Sequence, residues 1–169
     1  QKAERLRQNG FAFDTSGVLQ KFEQKLKFQL TQAQRRVIAE IEQDMQKPVP
    51  MNRLLQGDVG SGKTAVAMYA LCVAAANGKQ GVLLAPTEIL AEQHYSNLSE
   101  IFGDAVVLLK GSMKKAQRDE ALRRIADGSA LFVTGTHALL SSDVRFYDLG
   151  CIVTDEQHRF GVRQRAAFM

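Results

Sequence analysis

The sequence predicts an α/β domain with a mostly parallel sheet and helices on both faces, and three observations carry this prediction. Short apolar runs that suit buried strands alternate with helix-forming runs along most of the chain. One of these runs leads into a glycine-rich loop followed by a helix, and another ends in the acidic pair Asp155-Glu156. Such an alternation is typical of parallel strands joined by right-handed helical crossovers.

The glycine-rich loop has the pattern of a phosphate-binding loop. The pattern G-x-x-x-x-G-K-[ST] is met in full by Gly57-Asp58-Val59-Gly60-Ser61-Gly62-Lys63-Thr64. In such loops, backbone N–H groups and a helix N-terminus surround the phosphates. Lys63 is therefore predicted to reach the β- and γ-phosphates, and the Thr64 hydroxyl to hold Mg²⁺. The alternative is a glycine-rich turn before a core helix.

The remaining elements are predicted from apolar spacing and capping residues. A helix begins at Thr31, where Thr31-x-x-Gln34 forms a capping box. Its apolar face should carry Val37, Ile38, Ile41 and Met45. Strands are expected at about 53–56, 82–85, 106–109, 131–134 and 149–154. Later helices should be capped by Thr87, Ser112 and Thr136, and Gly78 and Gly128 should end two of them.

Four chemically distinctive segments are predicted at the carboxyl ends of strands. They are the phosphate loop, Pro86-Thr87, Gly135-Thr136-His137 and Asp155-Glu156. Ligands of open parallel sheets bind outside these strand ends. Packing alone does not explain four such segments at one edge, so this edge is the predicted site.

Asp155-Glu156 is predicted to complete the nucleotide site. Phosphate-loop enzymes need a second group on the metal, usually an aspartate at the end of an apolar strand. Asp155 would hold Mg²⁺ through water, and Glu156 would accept a proton from the attacking water. The alternative is a helix N-cap with a favourable first-turn charge.

The three histidines have weaker assignments from the residues alone. His158 follows the acidic pair and suits a γ-phosphate sensor or a relay, although a lone histidine is more often a surface or core residue. His94 is expected to be a solvent-facing residue of a helix. His137 follows Thr136, which is predicted to cap a short helix.

Composition sets broad limits on function. The chain has 169 residues, a formal net charge of +4 and two cysteines, Cys72 and Cys151. The mild basicity permits a polyanionic partner without requiring one. The cysteines look like small core residues of a protein from a reducing cytoplasm. No apolar run is long enough to span a membrane.

In several motifs the sequence resembles the RecG family of ATP-dependent DNA helicases, within helicase superfamily 2. These motifs are the phosphate loop, Leu30-Thr31-x-Ala33-Gln34-Arg35-Arg36, Ala85-Pro86-Thr87-Glu88-Ile89-Leu90-Ala91-Glu92-Gln93-His94, Gly135-Thr136-His137-Ala138-Leu139 and Asp155-Glu156-Gln157-His158-Arg159-Phe160-Gly161-Val162. The transcription-repair coupling translocases are a related family. Gln157 and Ser61 stand where that family carries a glutamate and an aromatic residue, which favours RecG.

The resemblance implies a role for each matching residue. Gln34 would read the adenine of ATP, in addition to its place in the capping box. Gln157 and His158 would couple the state of the nucleotide to a second lobe. The DNA-contacting motifs of the family match Thr87, Gln93, His94, Gly111, Ser112, Thr136 and His137.

The resemblance also implies a domain organisation. Residues 1–27 would be a lead-in or linker segment, and residues 28–169 the first RecA-like domain, ending before the family's Thr-Ala-Thr motif. Intact relatives carry a second RecA-like lobe with an arginine finger and a wedge domain, and they remodel stalled forks and migrate Holliday junctions with Mg-ATP. The chain alone is expected to hydrolyse ATP barely. A P-loop phosphotransferase and a non-catalytic nucleotide-binding or DNA-docking module are the alternatives.

Overall fold

A computed structural model describes residues 12–46, 51–55 and 63–155, and for 51–55, 63 and 64 it describes the backbone alone. The helices are α1 (Val18–Lys25), α2 (Gln32–Met45), α3 (Lys63–Ala76), α4 (Glu88–Phe102) and α5 (Lys115–Asp127). The strands are β1 (Met51–Leu55), β2 (Gln80–Leu84), β3 (Val106–Leu109), β4 (Phe132–Gly135) and β5 (Leu149–Asp155). Two 3₁₀ turns cover Gly103–Ala105 and His137–Leu140.

The five strands form one sheet in the order β1-β5-β2-β4-β3. Every pair of neighbouring strands is parallel. The predicted strands are all present, and their bounds differ from the predicted ones by a few residues at most. A parallel sheet needs cover on both faces, and the described helices supply it.

Helices cover both faces of the sheet, as predicted, and they divide the core in two. On one face α1, α2, α3 and α4 pack around a cluster that contains Phe22, Tyr69 and Leu98. On the other face α5 packs around Ile125 and Val133. Helix α3 is apolar on nearly all sides because it lies between the sheet and helices α1 and α2.

Local capping residues set several helix ends where the sequence predicts them. Thr31 and Gln34 form the reciprocal capping box of α2. The Thr87 hydroxyl accepts from the Leu90 N–H, and Thr136 caps its 3₁₀ turn. Gly128 follows α5 with φ 85°, which favours glycine.

Two details of the predicted helices are wrong. Val37 is exposed rather than part of the buried face of α2, whereas Ile38, Ile41 and Met45 are buried. Ser112 does not cap α5, which begins at Lys115 after an N-cap at Lys114 without a side-chain hydrogen bond. The Ser112 hydroxyl instead donates to Glu88, because the turn at Gly111 brings the two residues together.

The lead-in segment is helical in part and packs on the rest of the chain. Phe13, Val18 and Phe22 are buried, and the Phe22 ring meets the Tyr69 ring edge-on at 5.7 Å between centroids. The N–H of Phe13 donates to the carbonyl of Met45 over 2.7 Å. The domain boundary at residue 28 stays a prediction.

At the end of the sheet where the strands begin, one buried amide side chain bonds several segments of the chain together. Gln80 Nε2 donates to the carbonyl oxygens of Ile125 and Ala130, both over 2.9 Å. Gln80 Oε1 accepts from the N–H of Asp148 over 2.9 Å. The start of β2 is thereby bonded to α5 and to the residues that precede β4 and β5.

Within the part of the chain that the structure describes, no helix is both long and apolar enough to cross a bilayer.

Candidate functional site

The strand register brings the predicted site segments to one edge of the sheet. Leu55, the last residue of β1, lies opposite Asp155 on β5. Leu84, the last residue of β2, lies opposite Thr154 on β5 and Gly135 on β4. The carboxyl ends of these four strands therefore meet at one edge, where the sequence predicts a site.

The phosphate-loop sequence joins β1 to α3 at this edge. Strand β1 ends at Leu55 and α3 begins at Lys63, the first of its 14 residues. Thr64 is the second residue of the helix. The loop residues Gly57, Asp58, Val59, Gly60, Ser61 and Gly62 lie outside the described residues. A strand, a loop of this sequence and a helix N-terminus are the context in which phosphates bind.

Asp155 is the best-described residue of the nucleotide half of the site. Its side chain is fully buried, and its Oδ2 lies 2.9 Å from His94 Nε2. A carboxylate at the end of a strand, beside the strand that leads into a phosphate loop, suits a magnesium-bound water. Asp155 therefore fits the predicted metal-binding role. Glu156, Gln157 and His158 lie outside the described residues.

His94 is buried, so the expectation of a solvent-facing residue is wrong. Only 6% of its side chain is exposed. Helix α4 turns Ala91, His94 and Leu98 toward the sheet, and the imidazole is the polar member of this inner row. The helical position of His94 was evident from the sequence, but its partner is 61 residues away along the chain.

Gln34 lies in the first turn of α2 and is mostly buried. Its Oε1 accepts from the N–H of Thr31 over 2.7 Å, and its own N–H donates to the Thr31 hydroxyl over 3.1 Å. The capping box thus fixes the position of the amide. The contact of this amide with adenine stays a prediction.

The residues predicted to contact DNA divide into exposed and buried ones. Exposed residues are Thr87, Gln93, Gly111, Ser112 and His137. The side chain of Thr136 is buried and caps the 3₁₀ turn, and that of His94 bonds Asp155. A contact with DNA stays a prediction for all seven. The structure already gives four of these side chains hydrogen-bond partners within the chain: Thr87, His94, Ser112 and Thr136.

Glutamates of α4 hold the turn at Gly111-Ser112, a contact that the sequence analysis missed. Glu88 accepts from the Ser112 hydroxyl over 2.5 Å and from the Ser112 N–H over 3.1 Å. These two bonds, the hydroxyl first, lower the pKa of the exposed Glu88 carboxyl. One turn further, Glu92 forms an ion pair with Lys110 over 2.6 Å. The two predicted DNA-contacting segments are thereby joined.

The outer face of α4 beside this turn forms a shallow groove. It is lined by Ile89, Glu92, Gln93, Ser96 and Asn97. Ile89 is 70% exposed and is a large apolar side chain on an otherwise polar face. The predicted DNA residues Thr87 and Gln93 lie on the same helix, at its cap and on this face.

Close packing explains the glycine at the end of β4. A Cβ on Gly135 would overlap the carbonyl oxygen of Leu109 and lie 2.8 Å from the Leu139 side chain. The chain can therefore turn into the segment at Thr136-His137 only if this position lacks a side chain. The structure thus gives the glycine of this motif a packing role.

The fold and this edge of the sheet define a P-loop NTPase lobe of the RecA-like type. The chain belongs to the DEAD/DEAH box helicase family, whose profile matches residues 31–169.

Two curated relatives show which members of this family the chain resembles. An ATP-dependent DNA helicase RecG from Synechocystis is 52% identical over 155 residues, which cover 90% of this chain and 19% of the relative. The RecG of Bacillus subtilis is 53% identical over 150 residues, covering 87% of this chain and 22% of that protein. The chain thus spans about a fifth of the length of these relatives.

Solved structures agree on the fold. A structure of RecG bound to a three-way DNA junction superposes with a TM-score of 0.77 at 34% identity, covering 98% of this chain and 26% of that one. A hypothetical ATP-dependent RNA helicase from Sulfolobus tokodaii superposes with a TM-score of 0.57 at 18% identity, over 90% of this chain and 53% of that one. The second likeness supports the RecA-like fold alone.

Proposed function

We propose that this chain is the first motor lobe of a RecG-type DNA helicase, which uses Mg-ATP hydrolysis to remodel branched DNA. The observation that carries the proposal is the register of Leu55 opposite Asp155. It sets a buried carboxylate beside the strand that leads into the phosphate loop. The identity of about half to RecG proteins and the likeness to a junction-bound RecG support the DNA substrate.

The residues of this chain would divide the work of hydrolysis. The loop from Gly57 to Gly62 and Lys63 would bind the phosphates, and Gln34 the adenine. Thr64 and Asp155 would hold Mg²⁺, which neutralises charge on the β- and γ-phosphates. Glu156 would take the proton of the attacking water. The proposed signal to a second lobe passes through Gln157 and His158.

The DNA side of the proposal lies on α4 and the neighbouring turns. Exposed hydroxyl, amide and imidazole groups at Thr87, Gln93, Ser112 and His137 suit contacts with phosphate and sugar. Gly111 permits close approach of its backbone. A second RecA-like lobe and a wedge domain are the proposed partners within the intact helicase. The cytoplasm, which holds bacterial DNA, is the proposed location, and the free thiols fit it.

The test is ATP hydrolysis by the intact helicase that carries this lobe. Hydrolysis is measured without DNA, with linear duplex and with a three-way junction. We expect the junction to stimulate hydrolysis at least tenfold over no DNA and more than linear duplex does. Stimulation by linear duplex alone would favour a translocase of the transcription-repair coupling type. Rates that ignore DNA would contradict the helicase assignment and favour a phosphotransferase.

Two variants separate the proposed roles in the same assay. Lys63→Ala should abolish nucleotide binding because the phosphate contact is lost. Glu156→Gln should keep binding and stop hydrolysis, because the amide cannot take a proton from water. Binding is measured with a fluorescent ATP analogue. An equal loss of binding in both variants would refute this division.

A further inference from the structure

A buried histidine of α4 bonds the predicted metal-binding residue at the end of β5. Helix α4 packs on β2, β3 and β4, and the His94 imidazole extends from it to Asp155. The two side chains are 6% and 0% exposed, and the bond from Nε2 to Oδ2 is 2.9 Å long. Burial of two polar groups this far from solvent is costly unless they bond each other.

The bond fixes the proton arrangement of His94. A carboxylate oxygen only accepts hydrogen bonds, so Nε2 carries the proton that is shared with Asp155. The other nitrogen, Nδ1, is buried and has no hydrogen-bond partner among the described residues. A buried histidine with one unpaired nitrogen destabilises the core, so its bond to Asp155 is the evident reason for a histidine at this position.

The same helix contacts the predicted DNA-contacting turn. Glu88, in the first turn of α4, accepts two hydrogen bonds from Ser112, and Glu92 pairs with Lys110. His94 lies six residues after Glu88, which is about 9 Å along a helix axis. A rigid helix of 15 residues therefore contacts the DNA-side turn with its outer glutamates and Asp155 with its inner histidine.

We propose that His94 is a positioning residue for Asp155 and links the placement of α4 to the metal site. The inference rests on the proposed function, since it takes Asp155 as a magnesium-binding residue. His94 touches neither nucleotide nor metal in this role. Its Nε2–H holds one carboxylate oxygen, so the orientation of the carboxylate follows the position of the helix. Partners of this kind typically contribute 10- to 100-fold to metal affinity or activity.

The proposal predicts a selective loss in magnesium dependence. In His94→Leu the carboxylate loses the N–H donor that comes from α4, so the Mg²⁺ concentration that gives half-maximal tightening of nucleotide binding should rise at least tenfold. Nucleotide binding in EDTA should stay within about twofold of the parent, because the phosphate contacts come from other residues. His94→Gln should restore the parent's magnesium dependence to within about threefold, since its amide N–H reaches about as far as Nε2.

The experiment is a titration of the intact helicase with a fluorescent ATP analogue, in EDTA and at increasing Mg²⁺. Leu98→Ala is the matched structural control, because Leu98 is a fully buried residue one turn along the same inner row. It should lower thermal stability without moving the Mg²⁺ midpoint. Where His94→Leu does not fold, His94→Gln is compared with His94→Asn, whose shorter amide cannot reach Asp155.

Three results would overturn the proposal. They are an unchanged Mg²⁺ midpoint in His94→Leu, an equal shift in Leu98→Ala, or equal midpoints in the Gln and Asn variants. A parent protein that binds nucleotide without any response to Mg²⁺ would overturn it as well. A parent that binds Mg-nucleotide and ignores DNA would contradict only the helicase assignment, and the midpoints would still decide the role of His94.

Discussion

Tyr69 shows how one buried side chain can join three helices. Its ring lies in the middle of α3, fully buried and edge-on to Phe22 of α1. Its hydroxyl donates to Oε1 of Glu42 on α2 over 2.5 Å. Burial and then the bond to Glu42 raise the pKa of the phenol far above its ordinary value. The hydroxyl is therefore protonated at neutral pH, where it can donate to Glu42.

Removing this hydroxyl should destabilise the protein measurably. Tyr69→Phe leaves the ring in place but deprives Glu42 of its donor. We expect a loss of about 1.5–3 kcal/mol in the free energy of unfolding, the usual size for hydrogen bonds to charged groups. Urea denaturation of the 169-residue protein, followed by circular dichroism, measures it.

The matched control removes the same group from an exposed ring. Tyr147 is 70% exposed, so Tyr147→Phe should change the free energy of unfolding by less than about 0.5 kcal/mol. If the two variants lose the same amount, the Tyr69–Glu42 bond does not contribute as proposed.

Among single residues, the sequence predicted local contacts well and long-range ones poorly. The caps at Thr31, Thr87 and Thr136 are correct because each bond spans at most three residues. The burial of His94 was not predicted. Periodicity shows that the residue is helical, but a polar residue is buried only beside a hydrogen-bond partner, and that partner is evident only in the folded structure. Position 155 was predicted at a strand end by the apolar run before it.

Helix α1 is an element whose stability depends on its packing. It has only eight residues, too few for a stable helix in isolation. Its N-cap, Gly17, has φ 72° and makes no side-chain hydrogen bond, so the cap contributes little. Val18 and Phe22 are its buried residues. The irregular spacing of phenylalanines in this segment gave no helical period, which is why the sequence did not reveal it.

Truncating the anchor should release this helix. Phe22→Ala removes the ring that meets Tyr69, so α1 should detach while the sheet stays folded. Trypsin cleavage at Lys21 and Lys25 should become at least tenfold faster, because both residues are exposed and cleavage then needs only local opening. Mass spectrometry of a digestion time course measures it.

Gln24→Ala is the control for this helix. Gln24 is an exposed residue of the same helix, so trypsin should cleave the Gln24→Ala variant at the parent's rate. Unchanged cleavage in Phe22→Ala would mean that other contacts hold the segment in place.

The two thiols of the molecule lie in different environments. Cys151 lies on β5 between β1 and β2 and is fully buried, and burial raises the pKa of its thiol to about 12. Cys72 lies on α3 and is half-buried. Burial raises the pKa of its thiol as well, and the nearby Lys25 partly offsets this. Thiol reactivity follows access and thiolate content, so Cys151 reports on opening of the sheet as a unit.

Labelling with a thiol reagent at pH 8 should separate the two residues. In Cys72→Ala, the remaining Cys151 should react at least about 10³ times more slowly in native buffer than in urea, because exposure requires global unfolding. In Cys151→Ala, the remaining Cys72 should react faster than Cys151 in native buffer. Similar native rates for the two single-thiol variants would show that the centre of the sheet opens locally.

The architecture of the whole domain follows closely from the sequence. The alternation of apolar strands and helices predicted the parallel sheet, and the position of each motif predicted that the strand ends carrying the motifs meet at one edge. The order β1-β5-β2-β4-β3 was not predicted, because strand neighbours depend on contacts between segments far apart in sequence. The hydrogen bond between Glu88 and Ser112 was not predicted for the same reason, since it joins the first turn of α4 to a turn 24 residues further along the chain.

The buried amide of Gln80 has a consequence for how this domain tolerates change. Its hydrogen bonds join the beginnings of three strands, at the opposite end of the sheet from the predicted site. The hydrogen bonds that join these strands and the segments predicted to form the site therefore lie at opposite ends of the sheet. Changes in the loops at the predicted site leave the amide in place, whereas exchanging Gln80 would leave three backbone groups without their hydrogen-bond partner. A designer who wishes to give this scaffold a different nucleic-acid preference should keep position 80 and its three partners fixed and randomise the far end.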